Sequence, residues 1–472
     1  MNKKNLIIFL IVVLAAAAVA AAVIIAVSIA GKGPGPVDPA ETPEETAESE
    51  LPERFGDFSS VSLTIGNDPR TSANITWQAI ETGLSGYVSY YEKSADAGSA
   101  VKVESVVEDE KFGVPVDGQY EFKNPQLEEI PGQVHRVYLT DLKPDTEYVY
   151  TVGYEGGPAC AERSFRTASE STEFSFILVA DTQGFTKRNF DVWENLAGLA
   201  AEQCPDFDFV IHMGDAVEEG KNHYQWQLYF NAAEKLTAGK QVVDVAGNRD
   251  KRHTLLRYTN GAADNRAALV SGYYSFDWGN VHFAVLNTND GDKDLPKSQL
   301  KWLSNDLSAA EGKTKIILMH KAPYTNTNHC MDSEIVQIRA QILPIAEQYG
   351  VKAVICGHDH YFFRSLPIDG EGNEVSYEKT SVSIGGTTAD MFRSNGTVYF
   401  VNGSAGVKQH DDPITNAFPA KTAKASLMKG PSFSYVTVDA GKIVVYTYVC
   451  ENNTLKLFDA FGIYLDAIQS GS

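Results

Sequence analysis

The sequence lacks the features that mark several common classes of protein. Its five cysteines include no Cys-x-x-Cys pair, so their spacing indicates neither a disulfide framework nor a structural zinc site. Basic residues are in the minority, 40 against 61 acidic ones, which gives a net charge of -21. A nucleic-acid-binding surface needs an excess of positive charge. We therefore expect no nucleic-acid partner and a surface that repels copies of itself.

One long uncharged run is present, and it lies at the N-terminus between Leu6 and Ala30. As a helix rising about 1.5 Å per residue it is long enough to cross a bilayer. Lys3 and Lys4 precede it, so the positive-inside rule places the rest of the chain outside the cell. We predict a signal anchor over 1–30, a transmembrane helix of a single-pass cell-membrane protein. The alternative is cleavage near Ala30 and secretion.

A chain of 472 residues is too long for a single ordinary core, since domains usually hold about 100 to 200 residues, and two domains with additional segments are expected. Residues 31–53 are rich in Pro, Glu and Thr and predict a disordered linker. Residues 54–168 alternate short strands with turn clusters, which predicts a β-sandwich. Strands then alternate with helices, two of them predicted over 189–202 and 334–348, which indicates an α/β domain over 172–450. Residues 451–472 are predicted to be a C-terminal tail.

Polar side chains follow five of the predicted strands of the α/β domain. In α/β proteins, functional groups lie beyond the carboxyl ends of the strands, so we expect these side chains to meet. Each has a simpler alternative, such as a helix cap, a turn or a core histidine, but their coincidence at five strand ends favours one site. Their oxygen and nitrogen atoms are donors that metal cations take. The groups are Asp181-Thr182-Gln183, Gly214-Asp215, Gly247-Asn248-Arg249-Asp250, His320 and Gly357-His358-Asp359-His360.

The number of donors indicates two metal ions rather than one. Seven donor side chains exceed what a single ion takes in addition to water. Two ions about 3.5 to 4 Å apart can activate a hydroxide and stabilise an oxyanion during displacement at phosphorus. Phosphoester hydrolysis is the chemistry that fits such a centre.

The order of these motifs resembles the calcineurin-like metallophosphoesterase superfamily, and the full arrangement resembles the purple acid phosphatases. Segments 66–69, 75–77 and 135–148 are similar to the fibronectin-like N-terminal domain of that family. The resemblance spans about 55–450. It implies a fibronectin III-like β-sandwich followed by an α/β metallophosphoesterase domain with a central β-sandwich flanked by helices.

Carried over to this sequence, the resemblance implies two divalent or mixed-valent ions (Fe, Mn or Zn) that share Asp215. Gln183 stands where relatives carry glycine or histidine. Either its amide oxygen completes the shell of the first ion, or its side chain hydrogen-bonds to a ligand. The implied ligands are Asp181, Asp215 and His360 for the first ion, with Gln183 as a further candidate, and Asp215, Asn248, His320 and His358 for the second.

Two positions depart from the family pattern. Glu218 stands where the purple enzymes carry the tyrosine that gives them their colour, so no such colour is expected. Arg249 stands in place of a histidine. An arginine stays charged, so it can bind phosphate but cannot donate a proton. Its alternative role is a salt bridge to Asp250.

His329 follows His320 by nine residues, a spacing that resembles the loop whose histidine faces the substrate in the purple acid phosphatases. We predict that His329 is a general acid or substrate contact, with a solvated loop histidine as the alternative. The predicted catalytic residues are His329, Arg249 and Asp250, and the predicted substrate contacts are Asn248, Arg249 and His329.

The sequence thus predicts an exported, membrane-anchored phosphohydrolase that uses a hydroxide activated by a binuclear metal centre, with phosphomonoesters as first-choice substrates. The alternatives are a phosphodiesterase or nucleotidase of the same chemistry, or a catalytically weak surface protein that binds phosphate and serves in adhesion.

Overall fold

The computed structural model describes residues 58–250, 255–259, 272–289, 294–384, 387–410, 418 and 421–466. The signal anchor predicted for 1–30 and the linker predicted for 31–53 lie outside these residues. Within the described ranges, no helix is both long enough and apolar enough to cross a membrane.

The first eight strands form two facing sheets around one apolar core. Trp77 lies fully buried in this core, together with apolar side chains from both sheets. The second strand is buried along its whole length because it pairs with a strand on each side. The strands are β1 (Ser59–Ile65), β2 (Ala73–Ala79), β3 (Gly86–Glu92), β4 (Val101–Glu104), β5 (Val106–Pro115), β6 (Leu127–Leu139), β7 (Glu147–Tyr154) and β8 (Arg163–Arg166).

The following segment alternates strands and helices. Its elements are β9 (Phe174–Val179), α1 (Lys187–Gln203), β10 (Phe209–His212), α2 (His223–Thr237), β11 (Gln241–Asp244), β12 (Tyr274–Trp278), β13 (Val281–Leu286), α3 (Lys297–Ala309), β14 (Thr314–Met319), α4 (Ser333–Gln348) and β15 (Val351–Cys356). Helices α1 and α4 confirm the two predicted from periodicity, while α2 and α3 were not predicted. Helix α2 begins at a side-chain cap, since Asn222 accepts hydrogen bonds from the amides of Tyr224 and Gln225.

The rest of the chain is mainly strands. They are β16 (Phe362–Ser365), β17 (Tyr377–Ile384), β18 (Thr387–Ser394), β19 (Val398–Asn402), β20 (Thr422–Ser426), β21 (Ser432–Val438), β22 (Lys442–Glu451) and β23 (Thr454–Tyr464). The last strand corrects the prediction of a tail over 451–472. Strand β23 pairs with β22 along its length and with β18 on its other side, and its buried Phe461 and Ile463 join the core.

Two large sheets pack face to face, with helices on their outer surfaces. The order of one is β17-β18-β23-β22-β21-β9-β10-β11-β1-β2-β6-β5, and that of the other is β12-β13-β14-β15-β19-β16-β20. Between them, Phe176 and Phe283 meet edge to face, with ring centroids 5.9 Å apart. Helices α1 and α2 cover the first sheet, and α3 and α4 cover the second. This architecture confirms the predicted fold class.

The first sheet also joins the N-terminal sandwich to the α/β body. Strand β1 runs parallel to β11, with Thr64 opposite Val242, so the sandwich strands continue the sheet of the body. A linker between separate domains would allow relative motion, whereas strands hydrogen-bonded into one sheet hold the two parts together. Residues of the sandwich can therefore take part in a site on the α/β body.

An ion-pair cluster around the buried His282, at the edge of the second sheet, makes stability depend on pH. His282 lies between Asp277 and Asp306, with its ring nitrogens 2.9 and 2.8 Å from their carboxylates, and Lys313 also contacts Asp277. Burial lowers the pKa of His282, but the two carboxylates outweigh it and raise the pKa from 6.5 to about 9. Protonated His282 therefore stabilises the fold below about pH 6.5, and this contribution is lost as the pH rises through about 9.

We expect His282→Gln to lower the free energy of unfolding by about 2 kcal/mol at pH 6 and by almost nothing at pH 10, because the wild-type imidazole is neutral there. Thermal unfolding of both proteins at the two pH values measures this. Comparing the two proteins at each pH cancels the titration of other groups. An equal difference at both pH values would contradict the assignment.

Candidate metal centre

The predicted site residues lie where the strand ends of the two facing sheets converge. Strands β9, β10 and β11 run parallel in the first sheet, and β13, β14 and β15 run parallel in the second. Asp181, Asp215 and Asn248 follow the first three strands, while His320 and His358 follow β14 and β15. Parallel strands bring their carboxyl ends to one edge, so two such sheets packed together place five loops around one point.

The loops at this point hold an unusual backbone conformation. Ten non-glycine residues of the described chain have a positive φ, and half of them belong to the predicted ligand set. Such angles cost about 1 to 3 kcal/mol and persist only where the surrounding structure enforces them. These five are Asp181, Gln183, Asp215, His358 and His360, with φ of 54°, 38°, 55°, 75° and 51°.

One half of the centre is built around His320. Its Nδ1 donates a hydrogen bond to the carbonyl oxygen of Met213 at 2.7 Å. In the neutral ring, Nε2 then carries no proton and has a free lone pair. That Nε2 lies 3.2 Å from Oδ1 of Asn248, 3.5 Å from Oδ1 of Asp215 and 3.3 Å from Nδ1 of His358. The ligand atoms of Asp215, His320 and His358 all fall within 4.8 Å of one another. Four electron-pair donors thus face one small volume.

The other half of the centre contains Asp181 and His360. Nδ1 of His360 lies 2.8 Å from the carbonyl oxygen of Lys408, to which it donates, so its Nε2 is directed at Oδ1 of Asp181, 3.7 Å away. The other carboxylate oxygen of Asp181 accepts from the amide of His358 at 2.9 Å. Oδ1 itself is buried and has no hydrogen-bond partner among the described residues. A buried carboxylate oxygen without a partner is costly unless a cation binds it.

The residues present fit a pair of metal ions. Burial opposes protonation of His320, but the Asp215 carboxylate outweighs it and raises the pKa of that histidine to about 9. Burial raises the pKa of Asp181. Burial lowers the pKa of His358 and of His360, so these two rings are neutral and carry lone pairs that a metal ion can take.

Gln183 lies next to this centre and is held on both sides. Its Nε2 donates to Oε2 of Glu218 at 2.8 Å, and its Oε1 accepts from Nζ of Lys408 at 3.3 Å. The amide oxygen, which is the atom that would bind a metal, is thus engaged by a lysine. This contact favours the hydrogen-bonding alternative for Gln183 over direct ligation.

Glu218 lies beside the centre, and the sequence singled it out only as the position of the missing tyrosine. Its side chain is 4% exposed, and Oε1 lies 3.2 Å from Nη1 of Arg249 and 3.4 Å from Nζ of Lys123. The ion pair that the structure shows for Arg249 is with Glu218, and not with Asp250 as the alternative proposed. No signal in the sequence links Lys123 to this site.

Asp250 lies beneath the loops and faces the backbone. Its Oδ1 accepts from the amide of Ala216 at 2.8 Å, and its Oδ2 accepts from the amides of Asp215 and Gly247 at 2.8 and 3.2 Å. A side chain so engaged is placed to position the loop that carries Asp215. The geometry therefore gives the predicted catalytic role of Asp250 no direct support.

His329 stands at the solvent side of the centre. Its side chain is 44% exposed, and its Nδ1 lies 2.8 Å from Oδ2 of Asp332. Its ring centroid is 5.3 Å from that of the His358 ring. The position suits a residue that contacts the part of a substrate projecting from the metal ions.

Comparison with known proteins agrees with this fold. The calcineurin-like phosphoesterase family matches residues 174–362, and the purple acid phosphatase N-terminal domain family matches residues 58–167. Purple acid phosphatase 18 of Arabidopsis thaliana is 23% identical over 56% of this chain and 60% of its own length. Probable inactive purple acid phosphatase 24 of the same plant is 23% identical over 71% of this chain and 58% of its own length. The chain thus spans less than two thirds of the length of these relatives.

The solved structure of a purple acid phosphatase from yellow lupin seeds covers 86% of this chain with a TM-score of 0.67 at 16% identity, and the match covers 74% of that protein. The chain therefore carries a calcineurin-like phosphoesterase domain that follows a purple acid phosphatase N-terminal domain. The two relatives named above are purple acid phosphatases by name.

Proposed function

We propose that the chain is a metal-dependent phosphohydrolase that prefers phosphomonoesters. The observation that carries this proposal is the convergence of lone pairs around His320, beside the unpartnered carboxylate oxygen of Asp181. The proposed ligands are those predicted from the sequence: Asp181, Asp215 and His360 for one ion and Asp215, Asn248, His320 and His358 for the other. When bound, two such ions activate water and neutralise charge on phosphoryl oxygens.

In this proposal, Arg249 binds the phosphoryl group of the substrate. Glu218 holds the guanidinium through Nη1 at 3.2 Å, while 41% of the arginine side chain stays exposed. Its own amide donates to Oδ1 of Asp215 at 2.7 Å, so the residue sits directly beside the centre. A guanidinium fixed in this way can offer two parallel N–H groups to phosphoryl oxygens.

In this proposal, His329 is the general acid that protonates the leaving group. With its Nδ1 bound to Asp332, the ring presents Nε2 to its surroundings. Nε2–H can then donate its proton to the departing oxygen. Arg249 cannot perform this step because a guanidinium keeps its protons.

Export and membrane anchoring are also part of the proposal, supported by the apolar run Leu6 to Ala30 behind Lys3 and Lys4. A second candidate is a phosphate-binding surface protein with weak turnover. It is favoured by the Arg249 and Glu218 departures, and by a relative that is itself named as probably inactive.

One assay separates these candidates. The purified chain is stripped of metal, reloaded with Mn, Zn or Fe, and given an aryl phosphomonoester and an aryl phosphodiester. We expect two ions per chain and turnover that requires them, with the monoester hydrolysed at least about tenfold faster. A faster diester reaction would indicate a phosphodiesterase. Two bound ions without turnover of either substrate would favour the phosphate-binding protein.

A further inference from the structure

The loop between β5 and β6, residues 116–126, reaches from the N-terminal sandwich to the metal centre. We call it the 116–126 loop. The carboxylate of Glu121 accepts from the amide of Lys187, the first residue of α1, at 3.1 Å. The ring of Tyr120 meets that of Tyr224 edge to face at 5.0 Å. These contacts fix the loop against the first two helices of the α/β body.

The 116–126 loop places the side chain of Lys123 next to Glu218. Nζ of Lys123 lies 3.4 Å from Oε1 of Glu218, the same oxygen that pairs with Arg249. The Lys123 side chain is 53% exposed, so one side of its ammonium group remains open to a ligand. Lys123 and Arg249 are therefore neighbours that share one carboxylate oxygen.

A third cation completes a positively charged rim. Lys408 contacts Oε1 of Gln183, whose Nε2 contacts Glu218. Two cationic side chains thus contact one buried carboxylate, and a third is linked to it through Gln183, in a protein whose net charge is -21. Glu218 balances only one of these positive charges, so the group retains positive charge that attracts an anion. A single phosphate at the metal ions would engage Arg249 and leave the two lysines available.

We propose that the 116–126 loop is part of the substrate site and that Lys123 binds a second phosphate group of the substrate. Substrates with two neighbouring phosphates, such as phosphoanhydrides, are preferred over single phosphomonoesters, and the monoester preference proposed above is a preference over phosphodiesters. In their hydrolysis the oxygen of water bonds to the terminal phosphorus, the bridging P–O bond breaks, the second phosphate leaves with the bridging oxygen, and a proton is released. This inference rests on the proposed function, since it takes the metal centre as the place of the scissile phosphate.

Binding of two non-hydrolysable probes to the metal-loaded chain tests the inference without relying on turnover. Methylenediphosphonate carries two phosphorus groups, and phenylphosphonate carries one and an aromatic ring. Calorimetry gives the dissociation constant of each for the wild type and Lys123→Ala, and the metal content is measured after each titration to exclude stripping by the probe. We expect the wild type to prefer methylenediphosphonate, and Lys123→Ala to reduce this preference about tenfold, as for the loss of one charge-assisted contact.

Lys111→Ala is the matched control, because Lys111 lies on the same hairpin. Its side chain is 71% exposed and pairs with Glu129. We expect it to leave the preference unchanged. An unchanged preference in Lys123→Ala would overturn the inference, as would binding of phenylphosphonate as the tighter probe, which would point instead to the exposed ring of Phe122. A diphosphonate preference that depends on Lys123, without turnover of pyrophosphate or aryl phosphate, would count against the proposed function alone.

Discussion

Replacing Asp215 with asparagine is expected to lower metal-dependent phosphoester hydrolysis on the order of a thousandfold, since a bridging carboxylate contributes several kcal/mol to holding and charging the centre. The side chain is buried, and Oδ1 lies 3.5 Å from Nε2 of His320. An amide of the same shape keeps the packing but removes the negative charge that both ions are proposed to share. The assay is turnover after reloading, together with the number of ions bound per chain.

The chain offers a matched control in Asp141. This exposed residue has a φ of 59°, against 55° for Asp215, so the backbone effect of asparagine is the same at both positions. We expect Asp141→Asn to retain wild-type turnover and two ions. Turnover of Asp215→Asn within about tenfold of the wild type, with two ions bound, would contradict the bridging role.

Replacing Asp250 with alanine is expected to destabilise the fold by more than about 3 kcal/mol, because the buried amides of Asp215, Ala216 and Gly247 lose their acceptor. The loop that carries Asp215 is then no longer held in its strained conformation. We expect metal affinity to fall by about 10- to 100-fold, the usual effect of removing a group that orients a ligand. Thermal unfolding and metal titration measure the two effects.

Asp250→Asn distinguishes a positioning residue from a catalytic one. The asparagine oxygen can still accept from part of this set of amides, so we expect intermediate stability and metal affinity, and a rate near that of the wild type once metal is saturating. If Asp250 instead acted on the substrate, Asp250→Asn would lose its rate at saturating metal while its metal affinity stayed close to the wild-type value.

The metal ligands that the sequence predicted are those that follow the end of a strand, because functional groups in α/β proteins lie beyond the carboxyl ends of the strands. Asp181, Asp215, His320 and His358 each follow a strand that is recognisable as a short apolar run, and parallel strands must bring such positions to one edge. Position after a strand predicts which residues lie near the site, but it does not predict the direction of their side chains. Asp250 lies in the same motif as Asn248, and only the hydrogen bonds of the folded loop separate a group beneath the backbone from groups at the centre.

Other elements were missed for different reasons. Helix α2 has a helical spacing like that of α1, with Trp226, Tyr229, Ala233 and Leu236 buried, so the sequence did carry a signal for it. Helix α3 buries only Gln299, Leu303 and Leu307, which is a weaker signal. Strand β23 follows a turn in which Asn452 and Asn453 both have positive φ, and its partner β18 lies more than fifty residues earlier in the chain. Pairing of that kind depends on the whole sheet.

The sequence by itself determined the fold class and the kinds of donor atom at the site, because strand periodicity and strand-end positions are local properties of the chain. The tertiary structure alone decided which charges meet. It paired Arg249 with Glu218 and turned the oxygen of Gln183 towards Lys408, two contacts within the α/β body. It also brought Lys123 of the N-terminal sandwich to Glu218. That contact joins the two parts of the chain, and it can form because β1 and β11 unite them in one sheet.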